Sequence, residues 1–352
     1  MNVVIYPYSI EHSYIKEYKK LFRYNIIYFM CYGNILPINH QNDNDDYCTF
    51  TDLVDGKISF DDFDTFCIID KVPDENELYK IVEFVCSNGK NIICVEEYLD
   101  QIEKICKRYN VKLLQCNYET IETPEKKWNY DSEIIGIDIP VVAVMGIGQN
   151  VQKFDLQLYL RSRFIDKGYK VSQIGTKKIS GLFGLHPLPD FLFNTQYSDV
   201  DKVYAFNRVM KDVSMQEKPD VILLGIPDSL LPLNNKHRFS FGLYAYEIFN
   251  AVQPDFVITS LMANDGYNDE FYSEISKMAK YKYNVNIDAY FVSQFCPLSN
   301  SIWSEKLSYV YLPQMELPKT EYKVYTTSDL NNDILFKQAE KKLLLYGKYE
   351  QY

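Results

Sequence analysis

The residues whose types and spacing most favour chemistry lie between a strand-like run and a helical one. The apolar run 141–145 is followed by "GIGQNVQKF". N–H groups at the start of a helix, together with the helix dipole, attract anions, and glycines let the anion approach the backbone. A lysine adds a point charge. The pattern predicts a phosphate or anion site whose residues are Gly146, Gly148, Gln149, Asn150 and Lys153.

This loop departs from the usual phosphate-loop pattern, GxxxxGK[ST]. Its lysine comes one residue late, Gln152 replaces the glycine before it, and Phe154 replaces the hydroxyl that ligates magnesium. The stretch "KPDVILLGIPDSLLP", 218–232, has the form of the strand that faces such a loop, but it ends in Gly225 instead of a metal-holding acid. The two departures agree. They indicate phosphate binding without metal-dependent hydrolysis.

Two other interpretations of the loop stay open. A dinucleotide-binding GxGxxG fits Gly146 and Gly148 but places Val151 at the third glycine. A plain tight turn between strand and helix also accounts for the glycines.

Candidate catalytic residues lie in two further loops. His186, in "GLFGLHPLPD", could form an acid–base pair with Asp190, and the alternative is a histidine that bonds the loop backbone. Asp228 is the nearest acid after Gly225 and is the third candidate. His237 and the arginine after it are predicted to be solvated surface.

Two polar residues flank the predicted anion site. Asp155 lies in the first helical turn, where it suits the dipole but would repel a phosphate unless a cation intervenes. Gln173 closes the next strand and is a candidate ligand contact. His12 and His40 have no partner that the sequence identifies, and no Ser-His-Asp order or nucleophile elbow is visible.

The amino-acid composition argues against some classes of function. The 352 residues are 47% hydrophobic and 24% charged, as in ordinary soluble globular proteins, and the net charge of −11 argues against nucleic-acid and anionic-membrane partners. The eight cysteines include no CxxC and no zinc-ligand spacing, so no metal is predicted. With no signal peptide and no long apolar run, we expect a cytoplasmic protein.

Strand-like and helical runs alternate in both halves, which predicts an α/β fold: two Rossmann-like or P-loop-like domains with mainly parallel sheets. The polar stretch 119–133 marks the boundary, so the expected domains are 1–130 and 131–352. The run "IEHSYIKEYKKLF" predicts a helix over 10–22, and a second amphipathic run predicts a helix over 328–347. Loops are predicted over 39–57 and 177–193, and one strand over 288–295.

Residues 141–232 resemble P-loop proteins with dethiobiotin synthetase-like domains, including a two-domain family whose motifs are GTDxxVGK and EGQGSL. Val151 and Lys153 keep the register of the valine and lysine in GTDxxVGK. Ser229 and Leu230 match the last two residues of EGQGSL, and Gly225 replaces its glutamate. This resemblance implies an acyl-CoA-dependent N-acyltransferase acting on D-amino acids, which could use a phosphate loop without hydrolysing a nucleotide.

A second resemblance covers most of the chain and is strongest in its second half. "MGIGQNVQKFDLQLYLRSRF", "GYKVSQIGTK", "FGLHPLPDF" and "FGLYAYEIFNAVQPDFVI" are similar to peptide maturation system proteins, which are encoded beside radical SAM maturases and short precursor peptides. This resemblance implies a pathway, not a reaction.

Three hypotheses for the function follow. The first is an accessory protein of ribosomally made peptide (RiPP) biosynthesis that binds a phosphate-bearing ligand, a nucleotide or CoA, with the maturase or precursor peptide as partner. The second is the acyl-CoA-dependent transferase. The third is a peptide- or maturase-binding module with a vestigial loop. A bound phosphate with a reactive group near His186 would favour the transferase, whereas an empty loop beside an exposed sheet edge would favour the module.

Overall fold

The computed structural model describes residues 1–34, 46–95, 99–114, 133–313 and 315–345. The chain divides into two compact units. The first is Met1–Glu119 with Lys178–Leu185, and the second is Thr120–Lys177 with His186–Tyr352. The boundary predicted at residue 130 lies outside the described residues.

The first unit contains a parallel sheet of six described strands, in the order β3-β2-β1-β4-β5-β6. The strands are β1 (Asn2–Tyr8), β2 (Asn25–Cys31), β3 (Tyr47–Cys48), β4 (Thr65–Ile68), β5 (Asn91–Cys94) and β6 (Leu113–Leu114). Its helices are α1 (Ser13–Glu17), α2 (Phe50–Val54), α3 (Glu75–Ser87) and α4 (Leu99–Tyr109).

Helix α3 shows why these elements form. Its buried positions include Leu78, Ile81, Val82 and Val85, the spacing that puts apolar side chains on one face of a helix. Asp74 caps its first turn by accepting a hydrogen bond from the Asn76 amide at 2.9 Å. The sheet in the same unit as α3 and α4 is also well buried, since all four residues of β4 are buried.

The second unit contains a parallel sheet of seven described strands, in the order β15-β12-β11-β7-β10-β8-β9, and an antiparallel pair, β13-β14. The strands are β7 (Val141–Ile147), β8 (Val171–Gly175), β9 (His186–Pro187), β10 (Val221–Gly225), β11 (Phe256–Leu261), β12 (Ala289–Val292), β13 (Phe295–Pro297), β14 (Tyr309–Tyr311) and β15 (Val324–Tyr325). The helices are α5 (Lys153–Asp166), α6 (Asp199–Glu217), α7 (Leu243–Ala251), α8 (Asp269–Tyr283), α9 (Thr327–Leu330) and α10 (Ile334–Leu343).

Strand β7 lies at the centre of this sheet, paired with β10 on one side and β11 on the other. The chain first builds β8, β9 and β10 on one side of β7 and then β11 and β12 on the opposite side. The carboxyl end of β7 is therefore the topological switch point, where open α/β sheets bind ligands. The segment between β7 and α5 occupies that point.

The predicted fold class is confirmed: both sheets are mainly parallel and helices alternate with strands. Among the described helices, none combines the length and apolarity that a bilayer span requires.

Several element predictions were wrong in detail. The helix predicted over 10–22 is only α1 with a 3₁₀ turn on each side. The loop predicted over 39–57 contains β3 and α2, because Thr49 forms a capping box with Asp52. The strand predicted over 288–295 ends at Val292, since Ser293 turns the chain into β13.

Two more differences follow later in the chain. The loop predicted over 177–193 contains β9 and two 3₁₀ turns. The helix predicted over 328–347 is interrupted before α10, where Asp333 adopts a left-handed backbone with φ of 56°. Its predicted glycine stop at residue 347 lies beyond the last described residue.

Candidate functional site

The loop between β7 and α5 is a compact turn built on left-handed backbone conformations. Gly148, Asn150 and Gln152 have φ values of 106°, 52° and 55°. A Cβ atom added to Gly148 would lie 2.8 Å from Met262 Cγ, so a side chain there would meet both backbone strain and a close neighbour. The backbone of the predicted anion loop can therefore take this path only with glycine at that point.

Lys153 begins α5, and its aliphatic stem crosses back over the loop. A Cβ atom added to Gly146 would lie 2.9 Å from Lys153 Cδ. The Lys153 amine donates a hydrogen bond to the backbone carbonyl of Asp228, which follows β10. The lysine thus bridges the ends of the two adjacent strands on which sequence reasoning placed the site.

Burial lowers the pKa of the Lys153 amine to about 8, and the nearby Asp228 carboxylate only partly opposes that effect. Near neutral pH the amine is still mainly protonated but poorly solvated. An anion brought close to it would supply the countercharge that water does not.

The segment after β10 is locked to the loop by further hydrogen bonds. The Gly148 amide donates to Ser229 Oγ at 2.7 Å, and the Leu230 amide donates to the Gly146 carbonyl at 3.0 Å. The Asp228 carboxylate accepts a hydrogen bond from the Ser240 amide at 2.7 Å. Asp228, predicted as a catalytic acid, therefore holds its own loop while its carbonyl holds Lys153.

The other side of the loop is fixed to the ends of β11 and β12. The Gln152 side-chain carbonyl accepts a hydrogen bond from the Gln294 amide at 2.7 Å, and the Ser260 hydroxyl donates to the Val151 carbonyl. The Gln152 side-chain amide lies 3.3 Å from Asp155 Oδ1. Asp155 is accordingly at the loop, as predicted.

The two positions that hold magnesium in metal-dependent phosphate loops are occupied differently here. Phe154 is 1% exposed and packs inward. A Cβ atom added to Gly225 would lie 2.6 Å from both polar atoms of the Gln157 side-chain amide. Gln157 is fully buried and lies 3.5 Å from the Gln173 amide nitrogen, so Gln173 joins an amide pair under the loop. Across the described chain, no three His, Cys, Asp or Glu side chains are grouped to hold a metal.

His186 lies on β9 at the edge of the sheet. Its Nε2 is 2.5 Å from Glu217 Oε1, and the other Glu217 oxygen accepts a hydrogen bond from the Ser172 hydroxyl. The hydrogen bond from His186 holds the pKa of the Glu217 carboxyl below its ordinary value. Asp190, its predicted partner, is exposed and begins a 3₁₀ turn. Glu217 ends α6, 31 residues from His186, and no local pattern in the sequence pairs them.

A polar cavity of about 470 Å³ opens beside the tip of the loop. Gln149 is the loop residue that lines it. Around it lie three cations and one carboxylate, together with aromatic and apolar side chains: Lys236, Arg238, Lys306 and Glu305, then His237, Phe239 and Leu307. The pair at 237–238, predicted as plain solvated surface, therefore faces a cavity next to the loop 146–153.

This basic cavity is held in place by a well-bonded turn. Asn234 Oδ1 accepts hydrogen bonds from the amides of Lys236 and His237, each at 2.8 Å. The Lys236 amine also bonds the Trp303 carbonyl at 3.1 Å. His237 Nε2 is buried and has no hydrogen-bond partner among the described residues. A buried polar atom in that state gains from an added partner.

A second cavity, of about 600 Å³, is lined by Met262, Asn264 and Tyr267, among other residues. Met262 is also the close neighbour of Gly148. The loop 146–153 therefore reaches a basic cavity through Gln149 and adjoins a mixed polar and apolar one through Met262.

Comparison with solved structures gives a match that bears on the fold. A DUF1611 family protein from Anabaena variabilis superposes with a TM-score of 0.53 at 10% identity, over 83% of this chain and 87% of that one. FtsY from Elizabethkingia anophelis, a signal recognition particle receptor, and chloroplast FtsY from Physcomitrella patens match at 14% and 13% identity, with TM-scores of 0.28.

The FtsY matches cover 69% and 62% of this chain and 75% and 71% of those chains, and scores so low carry no argument. No protein-family model matches the sequence, and no curated protein does. The likeness to the DUF1611 protein shows a shared α/β fold and nothing about ligands.

Proposed function

We propose that the second unit binds a phosphate-bearing ligand, a nucleotide or CoA, at the loop 146–153 and does not hydrolyse it. The proposal rests on one observation. The loop at the switch point of the sheet follows a path that requires glycine at Gly148, and the desolvated amine of Lys153 crosses it. Backbone N–H groups and a charge at this point are what an anion requires. The basic cavity beside Gln149 adds room and cations for the same ligand.

The absence of hydrolysis follows from the two altered positions. Phe154 offers no hydroxyl to a metal, and an acid at position 225 would collide with Gln157. We therefore expect negligible magnesium-dependent turnover of ATP or GTP. Robust turnover that disappears in Lys153→Ala would contradict this, and would imply that Asp155 or Asp228 holds the metal.

The pathway part of the proposal rests on the resemblance to peptide maturation system proteins. We propose an accessory role in which the protein binds the precursor peptide or its radical SAM maturase. In this role the first predicted domain, 1–130, would bind the partner, and the second, 131–352, would bind the ligand.

Ligand binding can be tested directly. Native mass spectrometry of freshly purified protein would reveal a co-purifying nucleotide or CoA. Calorimetric titration with CoA and ATP should then show weaker binding by Lys153→Ala than by the parent. The matched control is Lys280→Ala, which removes an exposed cation on α8. Equal affinity of Lys153→Ala and the parent, or no binding by the parent, would refute the proposal.

The partner is tested separately by fluorescence anisotropy with purified precursor peptide and maturase. We expect a dissociation constant of about 1 μM or tighter for one of them, which corresponds to about −8 kcal/mol. If neither binds at about a hundred times that concentration, with and without the phosphate ligand, the accessory role is wrong even if the loop binds its ligand.

A further inference from the structure

The first unit contains a hydrogen-bonded chain of three residues from two distant loops. Ser9 Oγ lies 3.0 Å from His12 Nδ1, and His12 Nε2 lies 3.0 Å from Asp70 Oδ2. Ser9 and His12 follow β1, whereas Asp70 follows β4 and is 58 residues from the histidine. Sequence reasoning found no partner for His12, because only the pairing of β1 with β4 brings the two loops together.

These residues lie where an α/β sheet presents ligand-binding groups. In the order β3-β2-β1-β4-β5-β6, the chain builds β2 and β3 on one side of β1 and then β4 on the other. The carboxyl ends of β1 and β4 therefore flank the topological switch point of this sheet. All three side chains belong to the first unit.

The burial of the three side chains matches distinct chemical roles. Ser9 is exposed, so its hydroxyl can be reached by another molecule. His12 is 6% exposed, and its ring lies between those of Tyr8 and Tyr14, each with its centroid 6.4 Å away. The Asp70 side chain is half-exposed, and its second oxygen accepts a hydrogen bond from the Lys71 amide at 2.7 Å.

The two distances fit a neutral imidazole that is protonated on one ring nitrogen. With the ring proton on Nε2, the imidazole donates to Asp70 and leaves Nδ1 to accept the hydrogen bond of the Ser9 hydroxyl. A serine whose proton is accepted by an oriented imidazole is the arrangement that activates a hydroxyl nucleophile. The two ring nitrogens exchange the roles that they have in the serine proteases, which does not alter the chemistry.

We propose that the first unit has its own reactive site, in which Ser9 is a nucleophile toward ester or thioester acyl groups, His12 is its base and Asp70 is a positioning residue. In the first step a bond forms between Ser9 Oγ and the acyl carbon, and His12 Nδ1 takes the hydroxyl proton. The C–O or C–S bond then breaks, and His12 returns the proton to the leaving alcohol or thiol. Water hydrolyses the acyl-serine with the same base, so that a carboxylic acid is released and Ser9 is restored.

This inference is independent of the phosphate loop and goes beyond the function proposed above. The probe is a fluorophosphonate, which forms an Oγ–P bond to an activated serine and releases fluoride. Full-length protein should be labelled at Ser9, as located by mass spectrometry of its peptides. Ser9→Ala should lose that label. Ser13→Ala, in the same helical segment, is the matched control and should be labelled at the parent's rate.

Asp70→Asn tests the positioning role without replacing the buried histidine. It keeps the shape of a half-exposed side chain, so the fold should persist, which thermal unfolding checks. The labelling rate should fall about 100-fold, the usual size of a general-base contribution, and Asp70→Glu should recover part of it. No label on Ser9 in the parent, or an unchanged rate in Asp70→Asn, would overturn the inference. Either result would leave the ligand-binding proposal unaffected.

Discussion

Replacing Lys153 with methionine should stabilise the protein and weaken its ligand binding at the same time. Methionine retains most of the aliphatic stem that crosses Gly146 but removes the charge. Burial lowers the lysine pKa from 10.5 to about 8, which corresponds to about 3 kcal/mol of unfavourable free energy in the folded state. The lost hydrogen bond from the charged amine to the Asp228 carbonyl offsets about 1.5 kcal/mol of this. At pH 7 the variant should therefore be more stable by about 1.5 kcal/mol.

The direction in which the stability changes with pH follows from the lowered pKa of Lys153. Because the folded-state pKa of Lys153 lies below its unfolded value, the unfolded chain binds the proton more readily between pH 8 and 10.5. The stability of the parent should rise with pH across that window, the penalty being complete below pH 8 and absent above 10.5. The stability difference between parent and variant should shrink over the same range.

Urea unfolding of the parent and of Lys153→Met at pH 7 and pH 10 measures both effects, with Lys280→Met as the control for loss of an exposed charge. Phosphate-ligand affinity should fall by about 1.5–3 kcal/mol, or about 10- to 150-fold, the size of one charge-assisted contact. A variant that is less stable than the parent at pH 7, or a stability difference that does not change with pH, would refute the argument from burial.

Three more substitutions test contacts within the second unit. Gly225→Ala should destabilise the protein by about 1–3 kcal/mol in urea unfolding, because its Cβ would meet the buried Gln157 amide. Adding Gln157→Ala should cost less than the sum of the single changes, and strict additivity would exclude the contact. Glu217→Gln should destabilise the protein by about 1 kcal/mol at pH 7, since it loses the charged partner of His186. The lowered pKa of Glu217 means that this difference is present above the ordinary glutamate pKa of 4.5 and disappears as the pH falls further. A difference that does not decrease as the pH falls below 4.5 would contradict that assignment.

The sequence by itself was enough to predict the fold class and a glycine-containing loop between a strand and a helix at 146–153. Runs such as 141–145 and 221–225 are apolar throughout, as strands covered on both faces must be, and amphipathic helical runs separate them. Glycines followed by a lysine at the start of a helix are likewise a local pattern. The sequence also showed that residues 154 and 225 cannot supply the usual metal-holding groups.

Short-range order was predicted less well where several local signals compete. The segment 10–22 has a helical pattern, yet only α1 is α-helical, and Asp333 interrupts the last predicted helix by adopting a left-handed backbone. Such breaks depend on backbone conformations at single residues, and the tertiary environment decides those.

Only the tertiary structure decided which distant residues meet. It pairs His186 with Glu217, fills the space beside Gly225 with Gln157, and places Lys236 and Arg238 in the same cavity as Gln149. In the first unit it brings Ser9 and His12 to Asp70. These contacts follow from strand order and register. Strand pairing joins segments far apart in the chain, and a periodic apolar pattern states which face of a strand is buried but not which strand lies beside it.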